Sequence, residues 1–258
     1  MNLSALLGIL FGGLVFMSTV YFAFDNPFVL LDPRSFLIVF GGTVTAAMIC
    51  FPFQQLRTLF VVFIKRVLAD QNEKMFELMD EIKQASTERR RGLRNFENHL
   101  GSIKDPFLKE CCEIILWGEE EISDTEIKRL LSERASAQYN RNMKDANLFK
   151  TIAQFPPAFG LMGTTIGMIA LLQSLGEDGG ENLGKSMAIA LITTLYGLVF
   201  ANFAFVPIAE NLIGHTKSDF QTRQMIVNSV LLIHENKPTR YVIESAKTYL
   251  APKIRNMR

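Results

Sequence analysis

Four long apolar stretches of this 258-residue sequence lack ionisable side chains altogether. The windows 1–24, 35–56, 151–176 and 186–209 contain no Asp, Glu, Lys, Arg or His. Each is long enough to cross the ~30 Å hydrocarbon core of a bilayer as a helix that rises ~1.5 Å per residue. Because ionisable groups inside a membrane usually mark ion paths and proton relays, their absence argues against a pump or transporter that works alone.

Disulfide, metal and catalytic motifs are missing as well. The three cysteines are odd in number and form no C-x-x-C pair, which argues against a disulfide framework and a zinc site. The three histidines are scattered, and we find no glycine-rich phosphate loop after a strand and no nucleophile set beside a histidine. The net charge of +1 argues against nucleic acid as a partner. We therefore expect no enzyme and no bound cofactor.

The four windows predict an all-α, polytopic membrane protein with four transmembrane helices. We expect the first window to be a retained helix rather than a secretory signal, because no Lys or Arg precedes it and its apolar run exceeds the usual ~7–15 residues. Of the 27 Lys and Arg residues, 25 lie in the segments 57–150 and 210–258. The positive-inside rule therefore predicts that both termini and the segment 57–150 are cytoplasmic.

The same pattern divides the chain into four parts. We expect transmembrane helices 1 and 2 in 1–56, a cytoplasmic helical domain in 57–150, a hairpin of helices 3 and 4 in 151–209, and a cytoplasmic helical tail in 210–258. The second part carries 17 basic and 17 acidic residues with apolar positions at helical spacing, which indicates a compact helical domain. Within it, Ser123 and the Glu three residues later match a capping box that begins a helix.

Small residues line one face of each helix of the predicted hairpin. Gly160, Gly163 and Gly167 share a face of the third helix, and the fourth has a matching stripe with Thr194 at its edge: Ser186, Ala190, Thr193, Gly197 and Ala204. Such stripes let helix backbones approach closely. The polar groups in this region are hydroxyls and amides, which help to coordinate a hard cation but do not store a proton near neutral pH. If an ion passes, its titrating carboxylate must come from another chain, so the sequence indicates one component of a complex.

The segment TERRRGLRNFEN is the strongest local concentration of charge. It holds four arginines beside two glutamates: Arg89, Arg90, Arg91 and Arg94, with Glu88 and Glu97. One interpretation is a solvated helix face or a basic patch on anionic lipid head groups. The other is a charged contact surface for a protein partner, where such residues steer encounter and fix register.

Three segments resemble the MotA/PomA family of flagellar stator subunits: FPPAFGLMGTTIGM, MAIALITTLYGLVFANFAFVPIAE and NKPTRYVIESAKTYLAP. The resemblance extends over essentially the whole chain. It implies a ring of A subunits, understood as a pentamer, around B subunits of the MotB/PomB type in the bacterial inner membrane. Each B subunit would supply an aspartate to the ion path, and ion flow would drive the ring against the rotor protein FliG without nucleotide hydrolysis.

The resemblance also implies roles for individual residues. Pro157 and Pro207 match prolines that couple ion passage to movement. Thr194, in the TTLYG run with Thr193, matches a threonine near the bound ion, and Thr164 stands where sodium-driven members commonly have threonine. This comparison favours sodium over the proton.

The arginine-rich stretch also has a counterpart in the family. Arg89 or Arg90, together with Glu97, matches charged positions that meet the rotor. This match favours the protein-contact interpretation of the stretch.

One departure concerns the cytoplasmic ion exit, where Gln154 replaces an acidic residue that family members often have. The alternative function is an energising subunit of the ExbB/TolQ type, which usually has three spans. The fourth window, the TTLYG run and the basic tail favour the stator.

Overall fold

The computed structural model describes residues 3–23, 25–56, 72–177 and 183–250, and the secondary structure assigned in these ranges is helical. The start of the predicted insert, most of the turn between the hairpin helices and the end of the tail lie outside the described residues. The chain divides into two compact units. The first comprises 1–69 and 144–213, and the second comprises 70–143 and 214–258.

The first unit contains the apolar helices. Helix α1 is Leu3–Ala23, and after a 3-10 turn a second helical stretch follows in three parts: α2 (Pro33–Phe36), a π-helical segment (Leu37–Gly41) and α3 (Gly42–Cys50). Asp32 caps α2, because its carboxylate accepts the N–H of Ser35 at 2.8 Å and relieves one unpaired donor of the first turn.

The predicted hairpin follows in the same unit. Helix α8 is Phe155–Glu177 and helix α9 is Leu183–Val199, which continues through a second π segment, Phe200–Phe205, into α10 (Val206–His234). Helices α8 and α9 pack along their length, and α3 packs on α8. Large apolar side chains on the outside of this unit are exposed, for example Phe22 at 87% and Ile49 at 81%, as a face turned to lipid or to other subunits requires.

Three stretches of the described residues are long and apolar enough to cross a membrane: Pro27–Cys50, Asp124–Gln173 and Leu183–His234. A shorter apolar stretch, Phe11–Ala23, covers the second half of α1. The first predicted window is therefore helical where the structure describes it, but its apolar stretch is shorter than the three that are long enough to cross a membrane.

The second unit is a bundle of polar-faced helices around an apolar core. Helices α4 (Asn72–Arg91), α5 (Leu93–His99) and α6 (Pro106–Glu121) are followed by α7 (Asp124–Ile152), whose first part belongs to this unit. The last part of α10 and helix α11 (Thr239–Lys247) complete it. The largest fully buried side chains of this unit come from α4, α5, α6, α7 and α10 and include Ile82, Phe96, Leu108, Ile115, Leu131, Met225 and Ile233.

The segment expected as a tail is part of this bundle. Met225, Val230, Val242 and Ala246 are completely buried in the core of the second unit. Each buried aliphatic side chain of Val or Leu size stabilises the fold by roughly 1.5–3 kcal/mol relative to its exposed state. Apolar residues recur at helical spacing after 214, and their burial gives this segment a structural role in the unit.

Local capping signals set the ends of these helices. The predicted capping box is confirmed, since Ser123 N donates to the Glu126 carboxylate at 3.0 Å and Glu126 N donates to Ser123 Oγ at 3.4 Å. Gly92, with φ of +134°, separates α4 from α5 in a conformation that favours glycine. Cys111 and Cys112 are free and buried in the core, where burial raises the pKa of the Cys112 thiol to about 12.

Candidate functional site

The seam between α8 and α9 is closely packed. A Cβ placed on Gly163 would lie 2.5 Å from Thr193 Cβ, and one on Gly167 would lie 2.7 Å from Ala190 Cβ. A Cβ on Gly160 would lie 3.1 Å from the Thr193 carbonyl oxygen. The predicted close approach of the two small-residue stripes is therefore confirmed, and it depends on the missing side chains of the glycines.

The three predicted ion-path threonines occupy different positions around this seam. Thr193 is fully buried against Gly163, and its hydroxyl donates to the Ile189 and Ala190 carbonyls at 2.9 and 2.8 Å. Thr194 and Thr164 are half-buried at its edge. Their hydroxyls donate to carbonyls of their own helices, those of Ala190 at 3.4 Å and Leu161 at 2.6 Å.

These hydrogen bonds leave the hydroxyls able to accept. A hydroxyl has one hydrogen to donate and two lone pairs, so a threonine that donates to its own helix still presents its oxygen as an acceptor or cation ligand. Because Thr193 is enclosed by Gly163, Thr164 and Thr194 are the more accessible of the three. Nothing in the structure assigns an ion to them, so their role stays a prediction.

Two prolines begin helix α8. Helix α7 ends at Ile152, and Pro156 and Pro157 then occupy the first turn of α8. The N–H groups of a first turn have no acceptor within the helix, so proline, which lacks an N–H, loses no hydrogen bond there. A Cβ on Gly197 of α9 would lie 2.6 Å from the Pro156 carbonyl oxygen and 3.2 Å from Pro157 Cα. The predicted coupling proline Pro157 is thus held directly against the backbone of α9.

The second predicted coupling proline, Pro207, follows the π segment that continues α9. In a regular α-helix its ring would clash with the carbonyl four residues earlier, and no N–H would complete the ladder. Just before it, Val206 N donates to the Ala201 carbonyl five residues back, which is the wider π pattern. Such single π turns commonly occur at functional positions of helices.

The predicted rotor-contact residues lie in the second unit. Arg89 and Arg90 are in the last turn of α4, where the helix dipole favours cations, and Glu97 is on α5 beyond Gly92. Arg90 and Glu97 are exposed, whereas Arg89 is half-buried. The buried ring of Phe96 anchors α5 in the core, so the neighbouring Glu97 side chain is directed outwards.

Comparison with known proteins identifies the family of the chain. A match to the MotA/TolQ/ExbB proton channel family covers residues 99–225. Motility protein A of Aquifex aeolicus (strain VF5) is 30% identical in a match 237 positions long that covers 87% of each chain. The chain belongs to the MotA/TolQ/ExbB proton channel family.

Two further relatives match most of the chain. The uncharacterized protein YtxD of Bacillus subtilis (strain 168) is 33% identical over 213 residues, 81% of this chain and 75% of YtxD. Chemotaxis protein PomA of Vibrio alginolyticus is 26% identical over 250 residues, 97% of this chain and 96% of PomA.

Solved structures agree in fold. A structure of C. jejuni MotAB matches with a TM-score of 0.86 at 20% identity, over all of both chains. The flagellar MotAB stator complex of Bacillus subtilis matches with a TM-score of 0.83 at 24% identity, over 96% of each chain. The fold is therefore that of the MotA members of the family.

Three features of the site were not expected from the sequence. The Tyr196 hydroxyl donates to the Leu30 carbonyl, 166 residues away in sequence. Aromatic rings then connect the two π segments through Phe36, Phe40, Tyr196 and Phe200. Near the base of α8, Lys150 Nζ lies 3.9 Å from a Glu210 carboxylate oxygen, one turn after Pro207. The tyrosine of the TTLYG run was the only sequence signal for these contacts.

Proposed function

We propose that the chain is the A subunit of an ion-driven flagellar stator. The observation that carries this proposal is its similarity to a motility protein A over 87% of both chains, supported by the MotAB fold. With a B subunit of the MotB/PomB type it forms an ion channel in the bacterial inner membrane. Ion flow through the channel generates torque on the rotor.

The hairpin fits a division of labour between two subunits. Its windows 151–176 and 186–209 hold no ionisable residue, so the titrating aspartate comes from the B subunit. The α8–α9 seam is closed by backbone contacts and offers hydroxyl oxygens at its edge rather than a charge. This chain therefore provides a rigid wall and neutral oxygens, in a homo-pentameric ring around a B-subunit dimer.

Sodium is the ion that these residues favour. A sodium ion sheds most of its hydration shell in a narrow path and needs replacement oxygens, whereas a proton needs a relay. Thr164 and Thr194 supply such oxygens beside the partner's aspartate. Thr193, enclosed in the seam, holds α8 and α9 at the spacing that this coordination needs.

The remaining predicted residues couple ion passage to movement and contact the rotor. Pro157 lies in the first turn of α8, just after the end of α7, and Pro207 directly follows the π segment Phe200–Phe205. Relative movement of the hairpin starts at these two points. The cytoplasmic unit carries Arg90 and Glu97 to the rotor protein FliG, with Arg89 supporting them. No step requires nucleotide hydrolysis, and we expect no enzymatic activity.

A TolQ/ExbB-type role is the second candidate, because the matching family includes those proteins. It predicts a gradient-driven partner in the cell envelope instead of a rotor. The relatives that extend over most of the chain with a functional name are motility and chemotaxis proteins, which favours the stator.

Complementation tests the proposal directly. A motile bacterium from which all stator genes are deleted would receive this chain with its B subunit, the chain alone, or the B subunit alone. We expect rotation to return only with both subunits and speed to rise in discrete steps as stators assemble. Failure of the pair to restore rotation while both proteins reach the membrane would reject the stator function.

A further inference from the structure

The hydroxyl of Ser35, in α2, is buried and has two acceptors. Ser35 is completely buried in the first unit, where α2 packs on α9. Its Oγ lies 2.5 Å from Asp32 Oδ2 and 3.4 Å from the Ile189 carbonyl oxygen of α9. A serine hydroxyl carries one hydrogen, so it donates fully to only one of these groups at a time. The ionised Asp32 carboxylate is the stronger acceptor and holds this hydrogen.

The Ile189 carbonyl is also an acceptor for a predicted ion-path threonine. As a carbonyl inside α9 it accepts the helical N–H four residues on, and Thr193 Oγ1 lies 2.9 Å from it. A carbonyl oxygen has two lone pairs, so Ser35 is a third donor that competes with the Thr193 hydroxyl. Thr193 has an alternative acceptor in the Ala190 carbonyl, at 2.8 Å. If Ser35 turns to Ile189, the Thr193 hydroxyl is therefore driven to Ala190.

Thr194 shares the Ala190 carbonyl in the same way. Its Oγ1 lies 3.4 Å from that carbonyl oxygen, which also accepts the helical N–H four residues on. If Thr193 turns to Ala190, the Thr194 hydrogen therefore loses its acceptor. While this hydrogen is held on the carbonyl, the lone pairs of Thr194 are free to bind a cation, whereas a released hydrogen beside them repels one. A chain of hydrogen bonds thus connects the Asp32 carboxylate to the edge of the α8–α9 seam.

Neighbouring contacts fix the backbone on both sides of this chain. The Tyr196 hydroxyl donates to the Leu30 carbonyl, and its ring meets the Phe36 ring edge-on with centroids 6.4 Å apart. Ser35 N donates to Asp32 Oδ2 at 2.8 Å, which holds the carboxylate over the start of α2. With α2 and α9 tied together in this way, only hydroxyl hydrogens need to turn for the acceptors to be exchanged.

We propose that Ser35 is a positioning residue that links Asp32 to the cation-binding hydroxyl of Thr194. We call Ser35, Thr193 and Thr194 the hydroxyl relay. With Asp32 ionised and free, Ser35 donates to it, and each threonine donates to the carbonyl four residues before it. The Thr194 oxygen then presents its lone pairs to the ion. This inference rests on the proposed stator function and on its sodium path.

A cation that neutralises Asp32 sets the relay in its other state. The segment 25–34 is predicted to lie outside, so an incoming ion meets Asp32 before the seam. The Ser35 hydrogen then turns to the α9 carbonyl, Thr193 turns to the carbonyl three residues before it, and Thr194 loses its acceptor. Arrival of one ion outside therefore weakens the hold on the ion at Thr194 and favours its release.

Removal of the Ser35 hydroxyl tests the relay. In Ser35→Ala nothing competes for the Ile189 carbonyl, so the Thr194 oxygen stays turned to the ion. We expect the sodium concentration at half-maximal motor speed to fall about threefold, at the lower end of couplings within one hydrogen-bond network, and the maximal speed to fall because release is slower. Ser18→Ala, whose hydroxyl donates to the Val15 carbonyl of α1, is the control and should change neither quantity.

A double-mutant cycle separates the relay from direct attraction of the ion by Asp32. Asp32→Asn removes the charge but keeps a residue that caps helices well. With Ser35 present, it should raise the half-maximal sodium concentration about threefold, since Ser35 then turns to Ile189. In the Ser35→Ala background the relay predicts no change from Asp32→Asn, whereas direct attraction predicts the same rise in both backgrounds.

The controls assign each failure to its own claim. An equal effect of Asp32→Asn in both backgrounds, in stators that assemble and rotate, overturns the relay and leaves the stator function intact. Rotation that follows pH and ignores sodium removes the relay together with the sodium path. If the unmodified chain and its B subunit do not rotate the motor, the stator function itself fails. Should Ser35→Ala not reach the membrane, Ser35→Cys, which keeps the side-chain shape but donates weakly, takes its place in the cycle.

Discussion

Gly197 is the residue at which the hairpin tolerates least change. A Cβ at this position would meet a backbone oxygen at 2.6 Å, and a backbone atom cannot move aside by changing rotamer. At Gly163 the nearest group is instead the Thr193 side chain, which is itself tied to two carbonyls of its own helix. Close packing of the two helices therefore depends on the absence of a Cβ atom at these two glycines.

The first prediction compares two glycines of the same helix. Gly197→Ala forces α9 away from the Pro156 carbonyl, and we expect it to destabilise the complex by about 1–3 kcal/mol, the usual range for overpacking. Gly184→Ala is the control, because nothing lies within 4 Å of its added Cβ. Thermal unfolding of the detergent-solubilised complexes measures the difference. Equal unfolding temperatures for the two variants would mean that the seam is not closed as described.

The second prediction concerns the ion. Motor speed at fixed membrane potential should rise with external sodium and saturate, because the path must supply oxygens that replace hydration water. Thr164→Ala should weaken this sodium dependence, while Thr165→Ala, whose hydroxyl also bonds to its own helix, serves as the control. Speed that ignores sodium and follows external pH would identify the proton as the ion.

Helical spacing placed the glycines and threonines on the correct faces of α8 and α9, since both stripes follow from the 3.6-residue period. It could not distinguish the enclosed Thr193 from the half-buried Thr164 and Thr194. That distinction depends on which residue of one helix meets a glycine of the other, and pairing between helices has no local sequence signal.

At the level of elements, capping chemistry was predictable and long-range contacts were not. The Ser123–Glu126 box is local, and the two residues were sufficient to locate the start of α7. The Ser86–Thr239 hydrogen bond joins residues 153 apart, so its two hydroxyls carry no sequence signal that would pair them. The π segment before Pro207 lies between these extremes, because a proline inside an apolar helix predicts irregular backbone without giving its form.

The third prediction tests the start of α7. Ser123→Ala removes the acceptor for Glu126 N and should cost about 0.5–2 kcal/mol of the unfolding free energy of the second unit. Thr125→Ala, exposed in the same turn, should cost less. Chemical denaturation of the purified complex, followed by helical circular dichroism, compares the two. A larger loss in Thr125→Ala would contradict the capping role of Ser123.

The same cap has a pH dependence. The hydrogen bonds from Ser123 to the Glu126 carboxylate lower the pKa of Glu126, so the ionised form is favoured in the folded state. Stability from this source is present above the unfolded pKa and is lost as the pH falls through the folded pKa. The difference between Ser123→Ala and the unmodified chain should therefore shrink in acid.

For the whole molecule, orientation in the membrane follows from the distribution of charge. The segments 57–150 and 210–258 hold 25 of the 27 basic residues, which predicts a cytoplasmic location for both termini and for the second unit. The composition could not reveal that residues after 214 share a core with the insert. The sequence pattern of an amphipathic helix is the same whether the helix packs against a neighbouring or a distant segment.

The fourth prediction uses single cysteines in a cysteine-free chain. A membrane-impermeant thiol reagent added outside intact cells should label position 179 and leave position 98 unlabelled until the cells are opened. Asn98 is exposed on α5, so access of the reagent is limited by the membrane and not by burial, while position 179 lies outside the described residues. Labelling of position 98 from outside would reverse the proposed orientation.

The most direct test of the stator account measures motor speed against ion-motive force while cellular ATP is held constant. The cells would carry this chain and its B subunit as their only stator, and an ionophore would lower the gradient in steps. The account predicts that speed falls in proportion to the ion-motive force and reaches zero when the gradient is abolished, although ATP is unchanged. Rotation that persists after the gradient has collapsed would contradict the claim that ion flow through this protein generates the torque.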